Sequence, residues 1–189
     1  MTHPTHPMPR ASTAVARRAF RLAALAIAGA AFITLCARVQ VPMWPVPMTM
    51  QTFAILLLSL AYGPRLAVGT VALYLAAGSA GLPVFASGGG IAYLLGPTGG
   101  YLLGSLAVAG VVGHVASHDG GRSLDRALAA ALLGTVLFYL AGASWLASYV
   151  GPGQALALGV LPFVAGDVLK ALLAVASLPA ARFILSRIA

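Results

Sequence analysis

Charged residues are scarce in this chain of 189 residues. Only 7% of the residues are charged, 60% are hydrophobic, and the mean hydropathy is +0.97. A soluble domain carries about 25% charged residues, so the composition excludes an ordinary soluble protein and predicts an integral membrane protein. Acidic residues are the rarest, since 3 aspartates and no glutamate stand against 11 lysines and arginines.

The motifs of common catalytic classes are also missing. Without a Gly-x-x-x-x-Gly-Lys-Ser/Thr loop the chain cannot itself be an ATPase of the usual kind. It has no Gly-x-Ser-x-Gly elbow, no His-Glu-x-x-His helix and no cluster of cysteine and histidine. The single cysteine, Cys36, cannot form an internal disulfide. We therefore expect no catalytic residue, no metal and no cofactor, and thus not an enzyme.

Long apolar runs fill most of the chain. They cover residues 22–37, 49–62, 66–82, 92–115, 126–147 and 155–182. A transmembrane helix needs about 20 apolar residues, so the runs predict an all-α membrane protein with six transmembrane helices. We expect one six-helix domain over residues 19–189, preceded by a disordered, basic cytoplasmic tail over residues 1–18. The second and third runs are short for a hydrocarbon layer of about 30 Å.

The distribution of arginines predicts the orientation. In a bundle of six spans, Arg38 lies alone on one side. The other side collects Arg10, Arg17, Arg18, Arg21, Arg65, Arg122, Arg126, Arg182 and Arg187. Because cytoplasmic loops carry the excess of positive charge, we expect both termini in the cytoplasm of a bacterium and the protein in its cytoplasmic (inner) membrane. Residues 38–48 and 83–93 then lie outside.

These two outer segments are expected to form lids over one small-molecule site. The first continues into the polar segment Pro45–Thr52, and the second contains three consecutive glycines. Glycine allows the closest approach of backbone to a ligand or to another part of the chain. The expected ligand contacts from the lids are Thr49, Gln51, Ser87, Gly88, Gly89, Gly90 and Tyr93.

Asp167 and Lys170 form the one pair of opposite charges within an apolar run. A charge in the middle of a membrane helix costs about 2.5–3.5 kcal/mol on insertion scales, so it indicates a functional site. The i, i+3 spacing places both side chains on one helix face. The pair either pins the sixth helix to a neighbour or binds a ligand. We favour ligand binding, because two leucines would be the cheaper solution for packing.

The first apolar run carries small residues at four-residue spacing, including Ala24 and Ala28. Small residues allow membrane helices to approach closely. This face is predicted either to pack inside the protein or to dock a second membrane protein, and spacing alone favours internal packing.

Five segments of the chain, taken in order, resemble the BioY family of biotin-binding substrate-specific (S) subunits of energy-coupling factor (ECF) transporters. The segments are Pro45–Thr52, Gly81–Phe85, Gly88–Gly90, Leu95–Tyr101 and Gly166–Lys170. The similarity runs over roughly residues 20–185, nearly the whole apolar region. It implies six helices and a biotin site near the outer face. It also implies a transmembrane coupling subunit that contacts Ala24 and Ala28, and two cytoplasmic ATPases.

The expected function is therefore high-affinity capture of biotin for uptake. One alternative is a proton- or ion-coupled carrier of another small metabolite that uses Asp167. Another is a membrane assembly subunit that binds no ligand. Biotin would be held by Asp167 and Lys170 together with the lid residues.

Overall fold

The computed structural model describes residues 11–118 and 123–188, and most of these residues are helical. The helices are α1 (Ala11–Arg38), α2 (Gln51–Tyr62), α3 (Pro64–Ser79), α4 (Ile91–Leu94), α5 (Gly99–Ser117), α6 (Leu124–Val150), α7 (Pro152–Gly159) and α8 (Val164–Ile188). Two short strands, β1 (Gln40–Val41) and β2 (Met48–Thr49), pair antiparallel with Gln40 opposite Thr49.

The beginning of α1 corrects one prediction. The expected disordered tail included residues 11–18, but these residues form the first turns of α1. Alanine and arginine, which have high helix propensity, recur in this segment and continue without a break into the apolar run. Residues 1–10 of the expected tail, with Arg10, and likewise Arg122 lie outside the described residues.

Within the described part of the chain, four helices are long and apolar enough to cross a membrane. They span Ala14–Arg38, Gly99–Ser117, Leu124–Val150 and Val164–Arg187, so the chain has the composition of a multi-pass membrane protein. The 12 residues of α2 and the 16 of α3 would measure about 18 and 24 Å at 1.5 Å per residue. Both are shorter than a hydrocarbon layer of about 30 Å.

Two apolar runs that were expected to form one continuous helix each are divided into two helices. The run over 155–182 contains the end of α7, a turn and α8. Pro162 lies in that turn and has no N–H to donate to a helix. The run over 92–115 contains α4, a turn with Gly96 and Pro97, and then α5.

Helix α2 lies at the centre of the bundle. It packs against α1, α3, α5, α6 and α8, and Ile55 and Leu56 are almost completely buried. Gly134 of α6 makes room for this packing, because a Cβ there would come within 3.0 Å of the Leu56 side chain. The central position of α2 holds its first residue, Gln51, at the same end of the bundle as the two lid segments.

The two lid segments are bonded to each other at one end of the bundle. The Arg38 guanidinium donates to the carbonyl of Pro83, and Gln40 Nε2 donates to the carbonyl of Ala86 at 3.2 Å. At the opposite end, the Tyr62 hydroxyl donates to the carbonyl of Leu25 at 3.1 Å. The end of α2 therefore lies beside the first half of α1, far from the lids.

Candidate functional site

A cavity beneath the lids encloses about 540 Å³, including its mouth. We call it the inner cavity. It is lined by both lids and by α2, α5, α6 and α8. Its polar lining consists of Thr49, Gln51, Thr52, Thr98, Tyr139, Asp167 and Lys170, and its aromatic lining of Tyr93, Tyr101, Phe138 and Phe163.

The charged pair lies in this cavity at the beginning of α8. Lys170 Nζ is 2.8 Å from Asp167 Oδ1, and the two residues are only 6% and 2% exposed. The Tyr139 hydroxyl donates to Asp167 Oδ2 at 2.6 Å. Asp167 also lies in the first turn of α8, where the helix dipole stabilises negative charge. A buried carboxylate is thus held by three independent features of the fold.

This network leaves hydrogen-bonding capacity for a ligand. A carboxylate offers about four lone-pair sites, and an ammonium offers three donors. The described residues use one site on each oxygen of Asp167 and one donor of Lys170. The arrangement can therefore accept N–H groups of a ligand and donate to a ligand oxygen at adjacent positions.

Gln51 adds a second polar group to the same cavity. It is 6% exposed, and its backbone N–H donates to Thr49 Oγ1 at 3.2 Å. Among residues 11–118 and 123–188, no partner hydrogen-bonds the side-chain amide of Gln51. The amide is consequently available to a ligand, as both donor and acceptor.

Aromatic rings form the walls of the inner cavity. The Tyr93 ring stacks on Phe85 at a centroid distance of 5.2 Å, and the Tyr101 ring lies 5.4 Å from that of Phe138. The Tyr101 hydroxyl donates to the carbonyl of Gly159 at 2.7 Å. Because that hydroxyl is engaged by the protein, Tyr101 contributes mainly apolar surface. Such walls suit a ligand with a flat or compact apolar body.

The structure brings together five of the expected ligand contacts. Asp167, Lys170, Gln51, Thr49 and Tyr93 all line the inner cavity. Ser87 lines a second cavity nearer the outside. Tyr139 was not among the expected ligand contacts, although it too is a polar group within an apolar run.

The three consecutive glycines, Gly88, Gly89 and Gly90, were expected to contact the ligand, but they are not among the described residues that line either cavity. The Gly90 N–H donates to the carbonyl of Gly78 at 2.6 Å, and a Cβ on Gly89 would come within 2.1 Å of the Leu82 carbonyl oxygen. In this structure the run packs against the chain's own backbone, which was the other role that its composition allowed.

The second cavity, which we call the outer vestibule, is an open space of about 810 Å³ that includes solvent at its mouth. Both lids contribute to it. It shares Pro47, Tyr93 and Thr98 with the inner cavity. These three residues therefore form the boundary between the buried site and the outside.

The small-residue face of α1 points away from the bundle. Ala24 and Ala28 are both exposed. Close packing inside the protein uses Gly29 instead, where a Cβ would come within 2.6 Å of the Thr70 side chain. This exposure contradicts internal packing for Ala24 and Ala28, the role that spacing alone favoured.

Comparisons with known proteins agree on one kind of relative. The model of the BioY family matches residues 8–187. The "Probable biotin transporter BioY" of Pyrococcus horikoshii is 41% identical over 140 residues, which are 74% of this chain and 82% of the relative. The "Biotin transporter BioY" of Thermotoga maritima is 38% identical over 154 residues, which are 80% and 89% of the two chains.

A solved structure extends the similarity to the fold. The crystal structure of the S-component for biotin from an ECF-type ABC transporter matches with a TM-score of 0.79 and 25% sequence identity. The match covers 95% of each chain.

Proposed function

The chain belongs to the BioY family, and on this premise we propose that it captures biotin at the outer face of the membrane as the substrate-specific subunit of an ECF-type biotin transporter. The observation that carries this proposal is the buried Asp167–Lys170 pair in the inner cavity, held by Tyr139 and facing the same space as Gln51.

The polar groups of the inner cavity match the ureido ring of biotin. That ring offers two N–H donors and one carbonyl acceptor. The open lone-pair sites of Asp167 accept the N–H groups, and Lys170 donates to the carbonyl oxygen. Gln51 can complete either contact. The apolar sulfur-containing ring then lies against the aromatic walls formed by Tyr93 and Tyr101.

The proposal includes the membrane arrangement and the partners. In this proposal the six helices of 12 or more residues within the described part of the chain cross a bacterial inner membrane, and the bilayer thins locally beside the short α2 and α3. Both termini lie in the cytoplasm and the lids lie outside. The positive-inside rule supports this orientation. Partners are an ECF transmembrane coupling subunit and two cytoplasmic ATPases. The outward exposure of Ala24 and Ala28 supports a docking face for the coupling subunit.

The alternative functions fit the site less well. A proton-coupled carrier using Asp167 would need a carboxylate that is free to exchange protons, whereas the carboxylate is already neutralised by Lys170 and hydrogen-bonded by Tyr139. A subunit that binds nothing would have no use for a cavity lined by a charged pair and the amide of Gln51.

Equilibrium binding of labelled biotin to the purified, detergent-solubilised protein tests the proposal. We expect tight, stoichiometric binding in the absence of ATP. Lipoate is a matched competitor, because it has a similar carboxylate tail but no ureido ring, and it should not displace biotin. Strongly pH-dependent binding of a different solute would favour the carrier, and the absence of any small-molecule binding would favour the assembly subunit.

A further inference from the structure

The outer vestibule has no charged lining among the described residues. Its polar side chains are the amide of Gln40 and the hydroxyls of Ser87, Tyr93 and Thr98, and prolines supply much of the remaining surface. Arg38 is nearby in the chain, but its guanidinium donates to the carbonyl of Pro83, and it does not line the vestibule. A ligand group in the vestibule therefore meets neutral dipoles rather than a cation.

The vestibule continues the inner cavity towards the outside. The two spaces share Pro47, Tyr93 and Thr98, and the Asp167–Lys170 pair lines only the inner one. If the ureido ring lies on this pair, as the proposed function requires, the opposite end of the ligand is directed into the vestibule. The carboxylate of biotin is at that end of the molecule.

Gln40, one of the polar residues that line the vestibule, is held in place by the second lid. Its Nε2 donates to the carbonyl of Ala86 at 3.2 Å, whereas its Oε1 is buried and makes no hydrogen bond within the described residues. The Ala86 carbonyl needs a donor, so the hydrogen-bond network assigns the free atom of the amide as oxygen. Gln40 is a neutral amide, so it can hydrogen-bond to an amide group of a ligand as well as to a carboxylate, and it gives the vestibule no cation that would select a charged tail.

We propose that the outer vestibule is a second subsite that accepts neutral, amide-linked extensions. The ligand class then includes biotin amides, such as biotin joined to the side chain of an amino acid, as well as free biotin. The inference rests on the proposed function for the position of the ureido ring. Beyond the proposed function, it predicts that the affinity for the ligand does not depend on a negative charge at the end of the tail.

Competition against labelled biotin with unlabelled biotin, biotinamide and Nε-biotinyl-lysine tests this inference on the full chain. We expect the three dissociation constants to agree within about tenfold, which equals 1.4 kcal/mol. If biotin binds and either amide binds more than tenfold weaker, the neutral subsite is wrong and the proposed function stands. If biotin itself does not bind, the proposed function fails and the inference fails with it.

A charge placed in the vestibule provides a second test. Ser87→Asp should weaken free biotin about tenfold, because two like charges would share a partly desolvated space. The same variant should weaken biotinamide less than free biotin, because biotinamide carries no charge at the end of its tail, so the ratio of the two dissociation constants should change about tenfold. Ser148→Asp is the matched control, since Ser148 is exposed on α6 and does not line the vestibule. Equal effects of Ser87→Asp on both ligands, or no effect on free biotin, would overturn the proposed location of the tail.

Discussion

Tyr139→Phe removes a single hydroxyl from the candidate site and leaves the ring in place. That hydroxyl donates to Asp167 Oδ2 at 2.6 Å, while Lys170 contacts Oδ1. Without the hydroxyl, one oxygen of a buried carboxylate loses its partner inside the protein. The carboxylate also gains rotational freedom, and this freedom would be lost again when biotin binds.

Two magnitudes follow from this geometry. A hydrogen bond to a charged group contributes about 1.5–3 kcal/mol, so the variant should be less stable by an amount of that order. Ordering one side chain on binding costs about 0.5–1.5 kcal/mol. Because tenfold in affinity equals about 1.4 kcal/mol, biotin should bind about two- to tenfold more weakly. The variant is thus expected to affect stability more than affinity.

The assay combines equilibrium biotin binding with thermal unfolding in detergent, with and without ligand. Tyr62→Phe is the matched control, because the Tyr62 hydroxyl also donates to one oxygen, the carbonyl of Leu25, at the end of the bundle away from the lids. It should lower the melting temperature slightly and leave biotin affinity unchanged. If folded Tyr139→Phe binds biotin with parental or higher affinity, Tyr139 does not position Asp167 for the ligand.

Three further predictions concern the charged pair, the docking face and the orientation. In correctly folded protein, Asp167→Asn and Lys170→Met should each weaken biotin binding at least about tenfold, or 1.4 kcal/mol. If both variants bind biotin with parental affinity, the pair only holds the sixth helix to a neighbouring helix. A phenylalanine at Ala24 or Ala28 should leave biotin binding intact but reduce co-purification of the ECF coupling subunit, because close helix approach tolerates little added volume; unchanged co-purification would place the docking face elsewhere. Reporter fusions at both termini and a probe at Arg65 should report the cytoplasm, and a periplasmic signal at either terminus would contradict the orientation.

The charged pair shows what local spacing can predict. An i, i+3 separation on a helix determines that two side chains share a face, and the structure confirms this with an ion pair of 2.8 Å. Gln51 and Thr49 also reach the cavity as expected, because they flank the beginning of α2. Each of these predictions depended on residues close together in the sequence.

Tyr139 shows what residue spacing within one helix cannot predict. It lies 28 positions before Asp167 and reaches it only because α6 packs beside α8 with one particular rotation. Apolar residues occur on all sides of α6, so hydrophobicity alone does not show which face lies inside the bundle. Similarly, apolar composition alone could not divide residues 155–182 into α7 and α8, although Pro162 gave a local signal for the turn.

The division between α7 and α8 also affects how the chain enters the bilayer during synthesis. In an undivided span over residues 155–182, the charges would lie near the middle of the hydrocarbon. In α8, Asp167 and Lys170 follow Val164 by three and six residues, which is about 4.5 and 9 Å along the axis. Charges near the end of a membrane helix can reach the interface. With the proposed orientation, the turn at Pro162 therefore puts both charges near one end of α8, where inserting them into the bilayer costs less than at its middle.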